Sequence, residues 1–421
     1  MPRITAARVT PIAFRDPPLL NSAGIHEPWA LRSIVEVEVE GEVTGLGETY
    51  GDEPFLTLLR RCAEAIVGLD LHDLNGVKRA AAVVLAQDAG LALAAKPKTV
   101  NEGVAPRLHG AFDVAMLDAW GKLTGTRLCD LLGGAVREEV PFSAYLFYKL
   151  ARHKDLADGW DDGWGEVLTP EQMVGEARRM MAEHGFGSLK LKGGVLDPEE
   201  EIAALEAMRA AFPGAPLRID PNGAWHVHTT LRLLPRLEGV LEYLEDPVLG
   251  IPSMAVVQNA TRLPLATNMC VVAFNHFPQA VSLGAVQVVL ADHHYWGGLR
   301  ATVELARLCS SFGLGLSMHS NSHLGVSLMA MTHVAAVIPD LTYACDTHYP
   351  WQQEDVIAGG RVPIRNGVVS LPKGPGLGVE LDRDALARMH EQYQRCGIRR
   401  RDDAGEMRKY RPDWVTRRPR F

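Results

Sequence analysis

Cysteine is sparse and unpatterned in this chain of 421 residues. The six cysteines, at positions 62, 129, 270, 309, 345 and 396, form no CxxC pair and no metal-ligand spacing. That argues against a zinc site or a disulfide framework and predicts reduced thiols in the cytoplasm. Basic charge is also short: 43 Lys and Arg against 51 Asp and Glu leave a net charge of -8. Broad nucleic-acid binding is thereby excluded, because affinity for phosphates rests on clustered cations. No stretch approaches the roughly 20 apolar residues that a membrane helix needs. Residues 1–20 carry charges and prolines in place of the apolar centre of a signal peptide,. There is no P-loop, no GxGxxG and no GxSxG, so a nucleotide enzyme and a serine hydrolase have no footing,.

What is present is the composition of an ordinary globular protein, 47% hydrophobic and 22% charged, long enough for one barrel and a second domain,. Residues 1–138 read as an α+β segment. Ile4 to Ala13 and Leu31 to Glu40 are predicted strands, separated by the loop Asn21-Ser-Ala-Gly-Ile-His-Glu-Pro-Trp29, and the pattern turns helical after Gly47, around 55–67, 74–95 and 108–123,. From 139 to 355 short β-rich runs alternate with amphipathic helical patterns. The runs end in Lys190/Lys192, Asp220, Glu245, Asn268, Asp292, His319 and His348, about 26 residues apart, the length of one strand, one helix and two short loops,. An open doubly wound sheet shares the rhythm. The even spacing and the polar residue closing nearly every run favour a (β/α) barrel, whose chemistry lies at the C-terminal ends of its strands. Residues 356–421 hold a Pro/Gly-rich stretch, a predicted helix near 382–396 and an Arg-rich tail interrupted by Asp and Glu, expected to be a solvated terminus packed on the first domain.

The strand ends carry a coherent chemistry. Asp220, Glu245 and Asn268 close consecutive strands, so three oxygen donors converge; hard donors without Cys or an obligatory His suit Mg²⁺,. Each alone also reads as a turn residue, and Asp220-Pro-Asn-Gly is a good turn. In Leu-Lys-Leu-Lys, period two puts Lys190 and Lys192 on one face, the barrel interior, where two ammonium groups are expected to lower each other's pKa and free one as a base. His319 follows a strand whose predecessor ends in Asp292, a carboxylate able to orient it as a proton carrier. His319 and His323 share a helical spacing but lack the Glu of a zinc-protease motif. Lys192 and His319 fall on opposite sides of the mouth, which gives a carboxylate-bearing substrate a base on each face of its α-carbon.

The motifs Leu189-Lys-Leu-Lys-Gly-Gly194, Asp220-Pro-Asn-Gly-Ala-Trp225, Ala266-Thr-Asn-Met269, His319-Ser-Asn321, Thr332-His-Val-Ala335, Asp346-Thr-His348 and Arg401-Asp-Asp-Ala404 resemble the enolase superfamily, and within it the glucarate dehydratases, over nearly the whole chain. The resemblance implies an α/β fold: a (β/α)7β modified TIM barrel with an α+β capping domain formed by residues 1–138 and 356–421. It implies a Mg²⁺-dependent hydro-lyase of an aldarate, converting D-glucarate to 5-dehydro-4-deoxy-D-glucarate. Lys192 would be one base; His319, tuned by Asp292, would be the other and the acid for the departing hydroxyl. Lys190 would join this catalytic group. Asn21, His26, Tyr145, Lys190, Asn222, Ser320, Asn321, His348 and Arg401 would hold the substrate, with Arg401 and His26 on its second carboxylate and Thr99 a weak match. A homo-oligomer is expected, with no nucleic-acid or membrane partner. Where these enzymes carry a further Glu six residues after the fourth-strand Glu, this chain has Ile251, so Glu245 must serve as ligand, with Asp246 as fallback. The insertion Asp158-Gly-Trp-Asp-Asp-Gly-Trp-Gly-Glu166 is expected to reshape the pocket.

Two rival readings share these residues. Epimerisation or dehydration of another acid sugar, such as galactarate or L-idarate, needs the same opposed bases. A weakly active paralogue serving as a partner subunit would keep the fold, although intact Lys192, Asp292 and His319 argue against it.

Overall fold

The computed structural model describes residues 1–41, 43–96, 103–156 and 158–421. Thr99 lies outside them.

Three antiparallel strands open the chain: β1 (Ile4–Arg15), β2 (Trp29–Val39) and β3 (Val43–Tyr50). Ile4 pairs with Val39 and Arg15 with Trp29, then Arg32 with Tyr50 and Val39 with Val43. The third strand was not expected, because Gly45 and Gly47 depress β propensity. They are there for packing. The helix Val104–Thr124 lies against β3 so closely that a Cβ on Gly45 would fall 1.9 Å from the carbonyl oxygen of Ala115, and one on Gly47 2.5 Å from that of Ala111. The C-terminal helix Arg383–Arg395 returns to β1, where Tyr393 packs with Ala13 and Leu31.

The second sheet is the barrel. Its parallel strands are β4 (Glu139–Phe147), β5 (Leu189–Lys192), β6 (Leu217–Asp220), β7 (Tyr243–Glu245), β8 (Leu265–Thr267), β9 (Val288–Ala291), β10 (Gly315–Met318) and β11 (Cys345–Thr347). Hydrogen-bonded neighbours run β10-β9-β8-β7-β6-β5-β4-β11, and Ser317 Oγ donates to the carbonyl of Ala344 (2.9 Å) across the remaining gap between β10 and β11. A short strand, β12 (Val368–Ser370), pairs antiparallel with the start of β4. The crossovers are helical, as parallel neighbours require. Two of these helices announce themselves locally. Thr169-Pro-Glu-Gln and Asp197-Pro-Glu-Glu each form a capping box with Pro in the first turn,.

Register then places the chemistry. Phe147 pairs with Lys192, and Lys192 with Asp220, so successive strand ends finish at one level. Asn268, Asp292, His319 and His348 each sit one residue beyond a strand end, at the same face. Among the described residues, no helix is long and apolar enough to cross a membrane.

Candidate active site

At the centre of the barrel mouth, ammonium and carboxylate groups interleave. Lys192 Nζ lies 2.5 Å from Asp220 Oδ2. Lys190 Nζ lies 2.5 Å from both Glu245 Oε2 and Asp346 Oδ2. For Lys190 the expected depression therefore needs correction, since two carboxylates face it. Burial opposes the charge on Lys190, but Asp346 and Glu245 outweigh it and hold its pKa well above the usual lysine range,. Burial drives the Glu245 carboxyl well above its ordinary range, with Asp220 and Asp346 adding repulsion that Lys190 only partly offsets.

The donor set suits a hard divalent cation. Glu245 Oε1 and Asn268 Oδ1 are buried without a hydrogen-bond partner among the described residues, and buried polar atoms are rarely left so unless something else meets them. Asp220 Oδ1 accepts from the Asn222 amide (2.8 Å). Asp246, the fallback ligand, is occupied: it accepts from Thr267 Oγ1 (2.6 Å) and from the Asn268 amide (2.7 Å). Its task in this geometry is to orient Asn268. With three oxygen donors, Asp220, Glu245 and Asn268 could hold Mg²⁺.

Across the mouth, His319 Nδ1 is 2.9 Å from Asp292 Oδ2. The other carboxylate oxygen, Oδ1, accepts from the backbone amide (2.9 Å) and Nδ1 (2.6 Å) of His294. His294 Nε2 is 2.7 Å from Arg32 Nη2. An arginine nitrogen only donates, so His294 Nε2 must accept and its proton sits on Nδ1, facing Asp292. Burial lowers the pKa of His294, which keeps the ring neutral. Burial works against ionisation of Asp292, yet the two imidazoles donating to it hold its pKa well below the carboxylate range. Asp292 therefore accepts from Nδ1 of His319, and the remaining nitrogen, Nε2, is left as a base in the cavity. Arg32 is fixed in turn by Glu48 (2.9 Å), whose carboxylate also caps the amides of Leu324 and Ser327. Sequence reading missed Arg32, Glu48 and His294. The His-His pair just after Asp292 was a visible signal; the two residues on β2 and β3 gave none. His323, for its part, lies near Ser320 Oγ and Thr347 Oγ1 at 3.4 Å each.

A cavity of about 1070 Å³ opens above these groups. It is lined by Asn21, His26, Tyr145, Lys192, Asn222, Asn268, His319, Ser320, Asn321, His348 and Arg401, so the structure brings these expected residues together. Lys190, Asp220, Glu245 and Asp292 are buried behind that lining. Tyr145 reaches toward Asp220 Oδ2 (3.5 Å), and Ser320 Oγ accepts from the His348 amide (3.0 Å). Arg401 already grips Asp403 with two prongs, at 2.6 and 2.7 Å, and His26 Nδ1 lies 3.0 Å from Asp16. Asn321 Nδ2 donates to Asp292 Oδ2 (3.3 Å), and Ser22 Oγ to Asn222 Oδ1 (3.1 Å).

Two expectations need revision. The C-terminal tail is largely exposed and packs on the first domain through Ala23, as expected, but Trp414, Val415, Thr416 and Arg418 also line the cavity. The insertion 158–166 contributes no described residue to that lining. It is tied down elsewhere, by Asp158 to Arg15, by Asp162 to Lys149 and by Trp164 against Trp351 and Arg179.

Comparison with known proteins agrees with this geometry. The family pattern described as Enolase C-terminal domain-like matches residues 172–385. A probable glucarate dehydratase of Streptomyces coelicolor is 51% identical over 420 residues, spanning 98% of this chain and 97% of that protein. An enolase of Pseudomonas fluorescens, solved with bound magnesium, potassium and tartrate, superposes with a TM-score of 0.95 at 51% identity, covering 100% of this chain and 99% of the other. An enolase of Mycobacterium smegmatis complexed with tartrate gives 0.94 at 54% identity, again over 100% and 99%. The chain thus belongs to the enolase superfamily, among its glucarate dehydratase-like enzymes.

Proposed function

We propose that this protein is a Mg²⁺-dependent hydro-lyase of six-carbon aldarates that converts D-glucarate to 5-dehydro-4-deoxy-D-glucarate. One observation carries the reading. Lys192, ending β5, and His319, following β10, line one cavity with Asn268 between them. The 51% identity with a probable glucarate dehydratase supports the acid-sugar class. The tartrate held by two relatives, a hydroxylated diacid, supports the substrate type.

Asp220, Glu245 and Asn268 would hold the cation, and Mg²⁺ bound there would stabilise the negative charge that builds on the substrate carboxylate as the α-proton leaves. Lys192 or His319 takes that proton, according to the epimer. The released electron pair forms the Cα–Cβ double bond as the Cβ–O bond breaks. His319 gives a proton to the departing hydroxyl, which leaves as water, and the enol rearranges to the keto acid; where Lys192 is the base, Lys192 starts as the neutral amine and His319 starts protonated on Nε2 as well. When His319 is itself the base, it returns the same proton. Asp292, held by His294, keeps the ring in the tautomer this needs. Residues 1–138 and 356–421 close over the mouth and set which hydroxyls and which acid end are accepted. Six unpaired cysteines, five of them buried, suit work in the reducing cytoplasm,.

The test is keto-acid formation, followed with semicarbazide, on D-glucarate, L-idarate, galactarate and aldonates with Mg²⁺. Keto acid from D-glucarate, abolished by EDTA and restored by Mg²⁺, is the expected result. Epimerisation without keto acid would overturn the dehydratase reading.

A further inference from the structure

Several cations of the cavity already have a carboxylate. Arg401 holds Asp403, Lys192 holds Asp220, and Arg408 reaches Asp402 (3.3 Å). Arg418 does not. It lines the same cavity, half-buried, with its Nε closed off from solvent and without a hydrogen-bond partner among the described residues. Burial lowers its pKa, and Asp220 and Asp403, acting from beyond ion-pair contact, only partly offset this. A guanidinium that has given up water without gaining a partner is costly to keep.

The position is built rather than slack. On one side of Arg418, Trp414 Nε1 (2.8 Å) and Thr416 Oγ1 (3.0 Å) both donate to the carbonyl of Ala23. On the other, the Phe421 amide donates to the carbonyl of Ala224 (2.9 Å), and the His226 amide to that of Phe421 (2.6 Å). Arg420 stacks over the rings of Trp414 and Phe421. The tail is thus stitched from the Asn21 loop to the loop following Asp220, and Arg418 stands between the two anchors.

We propose that Arg418 receives the second carboxylate of the substrate, the one not directed at Asp220, Glu245 and Asn268, and so selects diacids over monoacids. The inference rests on the aldarate reading above and adds a guanidinium of the C-terminal tail beside Arg401, whose Nε and Nη2 edge is held by Asp403. A guanidinium matches a carboxylate with two parallel hydrogen bonds, and the incoming carboxylate would neutralise a charge the empty cavity leaves unmatched.

D-glucarate and L-gulonate differ only at the end remote from the reacting carbon, carboxylate against hydroxymethyl at glucarate C1, so they isolate the contact. Calorimetric titration of the full-length protein with Mg²⁺ should show D-glucarate bound at least tenfold more tightly than L-gulonate. Arg418→Gln should erase most of that preference by weakening glucarate alone. Arg418→Lys, which keeps the charge but not the fork, should lose part of it. Circular dichroism identifies the folded variants, and the conservative Lys variant decides if Gln disturbs the tail. No preference in the wild type, an undiminished preference in a folded variant, or equal weakening of both acids would each overturn the proposal. Keto-acid formation is scored separately: its absence alongside an Arg418-dependent preference removes the dehydratase reading and leaves the carboxylate site standing.

Discussion

Lys192 and His319 line the same cavity from different elements, and single substitutions should separate their proposed roles. Lys192→Ala and His319→Ala are each expected to abolish solvent-deuterium incorporation at the α-carbon of one substrate epimer while sparing it in the other. Loss of a positioned acid or base costs about 10²–10⁴-fold in rate. Equal loss with both epimers by either variant would sink the two-base scheme. Both residues were legible in the sequence because each closes a β-rich run at the barrel's repeat. Asp292 was legible for the same reason. His294 was not, because its role depends on Arg32 arriving from β2 to fix which ring nitrogen carries the proton.

The helix Pro170–His184 shows how an element carries a titratable strut. Glu176 faces inward from it, and its Oε1 accepts from the Phe147 amide (3.0 Å) at the end of β4. Burial pushes the Glu176 carboxyl from its usual 4.5 up to about 8. The folded protein therefore keeps a proton that the unfolded chain releases above pH 4.5. The stabilisation is complete below that value and drains away as pH rises toward about 8, with a slope of up to about 1.4 kcal/mol per pH unit. Glu176→Gln, neutral throughout, should flatten the pH dependence of urea-unfolding stability by about one proton between pH 5 and 8. Identical slopes in variant and wild type would refute the assignment. The helix itself was readable from Thr169-Pro-Glu-Gln. That one glutamate on it is buried beside a strand end was not, because charge on a helix defaults to solvent.

At the scale of the whole molecule, the buried acceptors Glu245 Oε1 and Asn268 Oδ1 have no hydrogen-bond partner among the described residues. A cation that binds only the folded state must then stabilise it, by about 2.7 kcal/mol at a hundredfold excess over Kd. Millimolar Mg²⁺ should raise Tm by a few degrees, EDTA should reverse this, and Asn268→Ala should lose most of the shift. A Tm indifferent to Mg²⁺ would count against the ligand set. Cap and barrel are bound together through this region by polar contacts as well as apolar packing. Arg32 with His294, Ser22 with Asn222, and the tail with Ala224 all cross from one to the other.

The sequence by itself determined the barrel, because hydrophobic period and strand spacing are local properties, and a residue closing a strand of a parallel barrel must face its mouth. It thereby gathered the candidate ligand trio and the lysine pair at one face, and set His319 beside Asp292. Tertiary structure decided the rest. The strand holding Gly45 and Gly47 exists because a helix presses onto it. The charge state of Lys190 follows from Asp346, two strands away in the barrel and 156 residues away in sequence, together with Glu245. Arg418 becomes a candidate carboxylate clamp only once the tail is pinned across two loops. In each case the deciding neighbour is distant in sequence, and the electrostatics of a buried group depends on which charges packing brings beside it.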